Sequence, residues 1–283
     1  MIGTKAMFGL VFTIAGSVGV AHAMDLDAST VDAWREYVGR VRVQMQARLD
    51  AEQPFLWIDG SPDRATRVRN GEIVVAPLVG QGTLDVSQGL IHDWIGAAFF
   101  PNATIETLQA VVHDYDRYKQ IYKPVVTDSK ALACNTAEQE FSMVWHRRVL
   151  FVNVTMQSRY EEHDFSLGPR RGYSIVDATR VQQVEDYGRA SEHVLPVDTG
   201  SGFIWRLHTI VRYEERDGGV YLEIRALALT RNIPPSLRWV VTPVVNHLSV
   251  NSLTTTLRQT REAVTDFRVA PEQLAMRERK RSQ

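Results

Sequence analysis

Six consecutive strand-like segments between residues 125 and 230, with no helical pattern among them, restrict what this chain can fold into. They run over about Val125–Ala133, Glu138–Arg147, Leu150–Glu162, Gly172–Glu185, Gly202–Glu215 and Val220–Thr230, and most are joined by hairpin-like turns such as Asp217-Gly218-Gly219. Parallel strands are linked through crossover helices, and none is patterned here. Upstream, Gly89–Phe99 reads as a seventh strand, stopped by Pro101-Asn102. A helix follows from Thr104 with Ile105, Leu108, Val111, Val112 and Tyr115 on one stripe, then a helical piece Tyr115–Tyr122 that ends at Pro124. A long helix closes the pattern. Thr242 is its expected cap, Pro243 its first-turn residue, and Val244, Val245, Leu248, Leu253, Leu257 and Val264 its apolar stripe. Helices segregated to the ends of an antiparallel sheet define an α+β class.

Two hairpins test which face is inside. Pairing Arg216 with Gly219 sets Tyr213 against Leu222, Val211 against Ile224, Thr209 against Ala226 and Leu207 against Ala228, so one face is almost wholly apolar. Arg212 then faces Glu223 on the other side, an expected surface pair worth no more than about 1 kcal/mol. Pairing Arg147 with Leu150 sets Trp145 against Val152, Met143 against Val154 and Phe141 against Met156, a second apolar surface. Thr209 is the one strong polar candidate that the first of these hairpins turns inward.

The N-terminus predicts export. Lys5 precedes the apolar run Met7–Val20, broken by Gly9, Gly16 and Gly19 and ended by Ala21-His22-Ala23, the three parts of a cleavable signal peptide. At roughly 14 residues the run is shorter than the ~20 of a spanning helix. Residues 1–23 are therefore expected to be removed, leaving Met24 first and placing the product in the periplasm or outside the cell. Residues 24–83 read as an N-terminal extension, with a helix capped by Ser29 or Thr30 and running to about Leu49, a turn-rich stretch with one short strand Glu72–Val75, and a linker at Gly80–Thr83. Residues 84–267 form the main domain, and 268–283 a charged, solvated tail.

Composition removes several function classes. The net charge of −1, with acids and bases interspersed, lacks the basic face of a nucleic-acid binder. A single cysteine, Cys134, rules out an internal disulfide framework and reads as a small buried hydrophobe. Asp198-Thr199-Gly200 matches an aspartic-protease loop, but that chemistry needs two carboxylates and no second copy occurs. The chain has no H-E-x-x-H and no G-x-S-x-G; His113-Asp114-x-Asp116 sits near a helix end and reads as capping. No cofactor or metal is called for. The Asn102 and Asn153 sequons matter only in a glycosylating host.

The order of elements resembles the helix-grip layout of the START/Bet v 1-like superfamily, also called SRPBCC, over about Leu84–Phe267. The residues that carry the likeness are Gly89-Leu90-Ile91-His92-Asp93-Trp94-Ile95-Gly96, Asp114-Tyr115-Asp116-Arg117-Tyr118 and Leu229-Thr230-Arg231-Asn232-Ile233-Pro234-Pro235. The resemblance implies a curved seven-stranded antiparallel sheet wrapped around a long C-terminal helix, with a lipid, sterol or polyketide held between them. A minority of such proteins are cyclases, aromatases or hydrolases.

The expected function is thus an exported binding protein for a hydrophobic small molecule, with transient membrane contact and no nucleic-acid partner. A cyclase- or aromatase-type enzyme using the same cavity ranks behind it, as does an interaction domain whose cavity is filled by Trp145, Trp205 and Phe203. The expected wall is Phe141, Met143, Trp145, Trp205, Leu207, Thr209, Leu222 and Ile224 on the sheet, with Val241, Val245 and Leu248 on the helix. Ala226 and Ala228 leave room between them.

Overall fold

The structure is a computed structural model that describes residues 25–134, 138–149, 152–233, 236 and 238–281; the expected signal peptide and cleavage site lie outside them. A first helix α1 (Ala28–Leu49) leads through a 3-10 turn at Trp57–Gly60 to α2 (Pro62–Arg69). Three strands follow, β1 (Val74–Pro77), β2 (Thr83–Val86) and β3 (Gly89–Pro101), then α3 (Ile105–Val112), a 3-10 turn and α4 (Tyr118–Ile121). The sheet continues with β4 (Val126–Cys134), β5 (Glu138–Val149), β6 (Val152–Ser166), β7 (Arg171–Glu185), β8 (His193–Val194), β9 (Arg206–Arg216) and β10 (Gly219–Arg231). The helix α5 (Arg238–Arg281) closes the chain. Strand order is β1-β3-β10-β9-β7-β6-β5-β4, all antiparallel, with β2 beside β3 and β8 beside β7. The fold is α+β, a helix grip. Its seven long strands are those expected, and three short ones extend the sheet.

Most local signals act where the sequence places them. Thr104 caps α3 through its side chain and closes a capping box with Thr107. Asp217 and Gly218 both have positive φ, 55° and 77°, as a two-residue primed turn requires, and the β9–β10 register is the expected one throughout. Three expectations need correction. The side chain that caps α1 is Asp27, two or three residues earlier than expected. The β5–β6 turn lies two residues later, so Phe141 faces Tyr160, Met143 faces Ser158 and Trp145 faces Met156. That displacement shifts partners by four residues, an even number, so every side chain keeps its face. Finally, α5 begins a turn before Thr242 and continues past Pro271 to Arg281, where a charged tail was expected.

The outer face of the sheet is not solvated. Trp34, Tyr37, Val38, Val41 and Met45 of α1, with Phe55, Leu56, Ile58 and Val68 after it, pack on Ile91, Ala97, Phe99, Ile210, Tyr221, Leu227 and Leu229. Gly80–Thr83, expected as a linker, connects two short strands that both pair with β3. Arg212 and Glu223 do lie opposite one another, 3.0 Å apart, but both are buried beneath this layer. Glu223 also accepts the backbone N–H groups of Trp57 and Ile58 at 2.9 and 2.8 Å. The surface pair expected from the sequence is a buried one, because residues far upstream cover it. Asp93 and Arg225, joined by two guanidinium hydrogen bonds, repeat the arrangement under Tyr37.

On the inner face α5 lies along β3, and Leu253, Leu257 and Val264 of its stripe are buried. Gly96 sits at the closest approach. A Cβ there would stand 2.9 Å from Leu257 Cδ1 and 3.3 Å from Leu253 Cβ. Farther across, the sheet curves away from the helix, and a space opens.

Candidate functional site

The space between the sheet and α5 is a cavity with two adjoining lobes that share Met143, Tyr160, Leu207, Ala228 and Ser252 in their walls. The lobes measure about 440 and 610 Å³, each large enough for a small ligand, for which roughly 300 Å³ is the lower bound. The floor comes from inward positions of β3, β5, β6, β9 and β10. The roof is a row of small hydroxyl residues on α5: Ser249, Ser252, Thr256 and Thr260. Three of these turn their hydroxyls back to helix carbonyls, Ser249 to Val245, Ser252 to Leu248 and Thr260 to Thr256, at 3.1, 2.6 and 2.8 Å. Their hydrogen bonds are thereby satisfied within the helix, so the roof is slim and presents little polarity.

Of the expected wall residues, Phe141, Met143, Leu207, Thr209, Leu222 and Ile224 line the first lobe. Trp145, Val245 and Leu248 line the second, again with Met143 and Leu207. Ala226 and Ala228 border the first lobe, as their small size suggested. Phe141 is fixed between Tyr115 and Tyr160, with ring centroids 4.3 and 4.8 Å away and nearly parallel planes. Trp205 requires a correction. Its backbone N–H donates to Leu229 O at 2.8 Å, while the next residue, Arg206, is the one paired with Leu229. Two residues opposite one break the alternation, as in a bulge, and Trp205 packs in the outer cluster with Trp34 and Leu227. Val241 lies outside the described side chains.

The inward polar groups found by sequence reasoning were too few. On β6, Glu162 and Asp164 follow Tyr160 at two-residue spacing and face inward; Glu162 lines the first lobe together with His113 and Ser174. His113 is the C-cap residue of α3, as expected, its backbone N–H donating to the Gln109 and Val111 carbonyls, but its side chain has a second role. Its Nε2 lies 3.2 Å from Asp164 Oδ2, which also accepts from Gln139 at 3.0 Å, and Ser174 donates to the other oxygen. Tyr115 donates to Glu162 Oε2 at 2.9 Å. Burial, then the nearby Asp164 charge, raises the Glu162 carboxyl above its usual range. Asp164 is lowered: burial opposes this, but hydrogen bonds from His113 and Ser174 outweigh it. His113 is raised, its burial offset by the Asp164 hydrogen bond and charge. Two inward carboxyls whose acidities are pushed apart form an acid–base arrangement. Their donor atoms and the His113 nitrogen all lie within 4.8 Å of one another, a grouping that is also able to hold a cation.

No family model matches the chain, and no curated protein matches it in sequence. Among solved structures it is similar to a STAR-related lipid transfer protein from Xanthomonas axonopodis, at 19% identity over 68% of this chain and 98% of that one, with a TM-score of 0.44. It is also similar to human STARD10, at 12% identity over 74% and 81% of the two chains and a TM-score of 0.41. The Zhui aromatase/cyclase from Streptomyces sp. R1128 is similar at 16% identity over 62% and 96%, with a TM-score of 0.36. These are proteins of the START and aromatase/cyclase kind that the sequence resembles.

Proposed function

We propose that this chain is an exported binding protein that holds a hydrophobic small molecule, of lipid, sterol or polyketide type, between the sheet and α5. One observation carries the reading: the two-lobed cavity is walled by Phe141, Met143, Leu207, Leu222, Ile224 and other apolar groups and is left open by Ala226, Ala228 and the serine row of α5. Affinity would come from burying the ligand's apolar area at about 25 cal/mol per Å², less the cost of immobilising it. Transient membrane contact belongs to the same proposal. Trp239, 80% exposed, lies less than two turns before Val245 at the second lobe, and tryptophan is suited to a membrane interface. Among the described residues no helix is long and apolar enough to cross a membrane.

The experiment takes the protein from the exported fraction of its host, where sequencing is expected to read Met24 first. It then measures displacement of a fluorescent fatty acid or sterol. Ala226→Trp should weaken binding at least about tenfold, because the indole fills the first lobe. Unchanged binding in that variant, or none in the wild type, overturns the reading. A cyclase-type enzyme is the second reading, favoured by the Glu162, Asp164 and His113 cluster facing the same lobe. Native mass spectrometry in the same experiment separates the two. A binder releases its ligand unchanged, and an enzyme releases it altered in mass.

A further inference from the structure

The second lobe has an electrostatic property that an apolar cavity does not need. Its wall contains two arginines, Arg147 and Arg231, and no aspartate or glutamate. Arg147 occupies an inward position of β5, in line with Phe141, Met143 and Trp145, and borders both lobes. Arg212, Arg225 and Arg206, which the fold also covers, are matched to the carboxylates of Glu223, Asp93 and Asp198, and Arg48 and Arg64 to the backbone carbonyls of Pro54 and Trp57. The Arg147 guanidinium has no ion pair or hydrogen bond among the described residues. Burial lowers its pKa and no neighbouring acid offsets the effect. The acidic residues of the cavity cluster elsewhere, on Glu162 and Asp164, where Tyr115, His113, Gln139 and Ser174 already engage them. Removing a cation from water without a partner is costly, and a bound anion would supply the missing partner.

We propose that the ligand is an anionic amphiphile whose oxyanion head, a carboxylate or phosphate monoester, pairs with Arg147 while its apolar body lies along the walls of the two lobes. Arg231 stands in the same wall and adds positive potential. A planar guanidinium matches either head by two parallel hydrogen bonds. This inference rests on the hydrophobic-ligand reading and narrows its ligand class.

The test is displacement of the neutral probe 1-aminoanthracene at pH 8 by dodecanoate, dodecyl phosphate, 1-dodecanol and dodecyltrimethylammonium, all below their micelle concentrations. Sodium phosphate alone is the control for a free anion. Hydrogen bonds to charged groups are worth about 1.5–3 kcal/mol, so the two anions should outcompete dodecanol by about tenfold or more, with the cation weakest. Sodium phosphate should displace nothing. Arg147→Met should bring the anions to within about threefold of dodecanol measured on the same variant, and Arg147→Lys should retain part of the preference. Dodecanol binding with no anion preference, or a preference that survives Arg147→Met, overturns the head-group assignment alone. Displacement by sodium phosphate assigns the site to a free anion and also overturns it. Failure of every C12 compound to bind overturns the hydrophobic-ligand reading along with it.

Discussion

At the scale of single residues, charge placement distinguishes this cavity from an ordinary core. His92 shows the cost of polarity inside it. The ring is buried, its Nε2 bonds Thr230 Oγ1 at 2.9 Å, and its Nδ1 finds no partner among the described residues. Burial lowers its pKa to about 4, against about 6.5 in an unfolded chain. The unfolded state therefore takes up a proton first as pH falls. His92 contributes fully above about pH 6.5, and that contribution is lost towards pH 4. Between pH 7.5 and 4.5 the wild type should lose roughly 2 kcal/mol from this residue alone. Urea midpoints at the two pH values, compared with His92→Gln, check it; equal pH slopes in both proteins would contradict it. Glu162 acts with the opposite sign, since burial raises its pKa, so its contribution is present at low pH and is lost as pH rises. Its inward direction was legible, because it follows Met156 and Tyr160 at even spacing. It went unread because Phe141 was set against Met156 rather than Tyr160, leaving the end of β6 without a partner. The run Val149–Val152 has no glycine, asparagine or aspartate to mark the turn.

At the scale of elements, the contact of α5 with β3 decides how wide the grip opens. Gly96 lies mid-strand, where glycine usually marks a close approach, and the approach here is to Leu253 and Leu257. The Leu253 Cβ belongs almost to the helix backbone and has no rotamer to escape into, so α5 itself would have to move. Gly96→Val is expected to cost about 1–3 kcal/mol by overpacking, read as a lowered urea midpoint with unchanged slope. A variant as stable as wild type would show that α5 floats over the sheet. The apolar stripe of α5 was readable from its spacing. The Ser249, Ser252 and Thr256 face was not recognised as the cavity roof. A serine row at helical spacing reads as a solvated face unless one knows that a sheet curves beneath it.

At the scale of the molecule, the sheet is sandwiched: α5 and α3 on one side, α1, α2 and the intervening turn on the other. The outer layer buries Ile91, Phe99, Ile210, Tyr221, Leu227 and Leu229 and holds Arg212–Glu223 and Arg225–Asp93 out of water. A chain beginning at Glu72 would expose that apolar face and those charges together. It is expected to lose cooperative thermal unfolding, measured by circular dichroism, whereas a chain beginning at Met24 keeps it. A truncated chain that melts as sharply and at the same temperature would show that the outer layer is dispensable.

The α+β class, the seven long strands, the β9–β10 register and the inward faces of both hairpins were determined by sequence alone, because alternation and turn chemistry are local and a strand carries its own period of two. Tertiary structure decided what lies against each face. Arg212 became a buried ion rather than a surface one because α1, more than 160 positions upstream, settles on it. Trp205 moved to the outer layer because one extra residue opposite Leu229 breaks the alternation. Arg147 and Glu162 came to share the wall of one cavity, yet among the described residues Glu162 has a partner in Tyr115 and Arg147 has none. Pattern along a strand records which side a residue faces. Whether that side meets water, a helix or an empty space depends on residues distant in the chain, and no local pattern records their arrival.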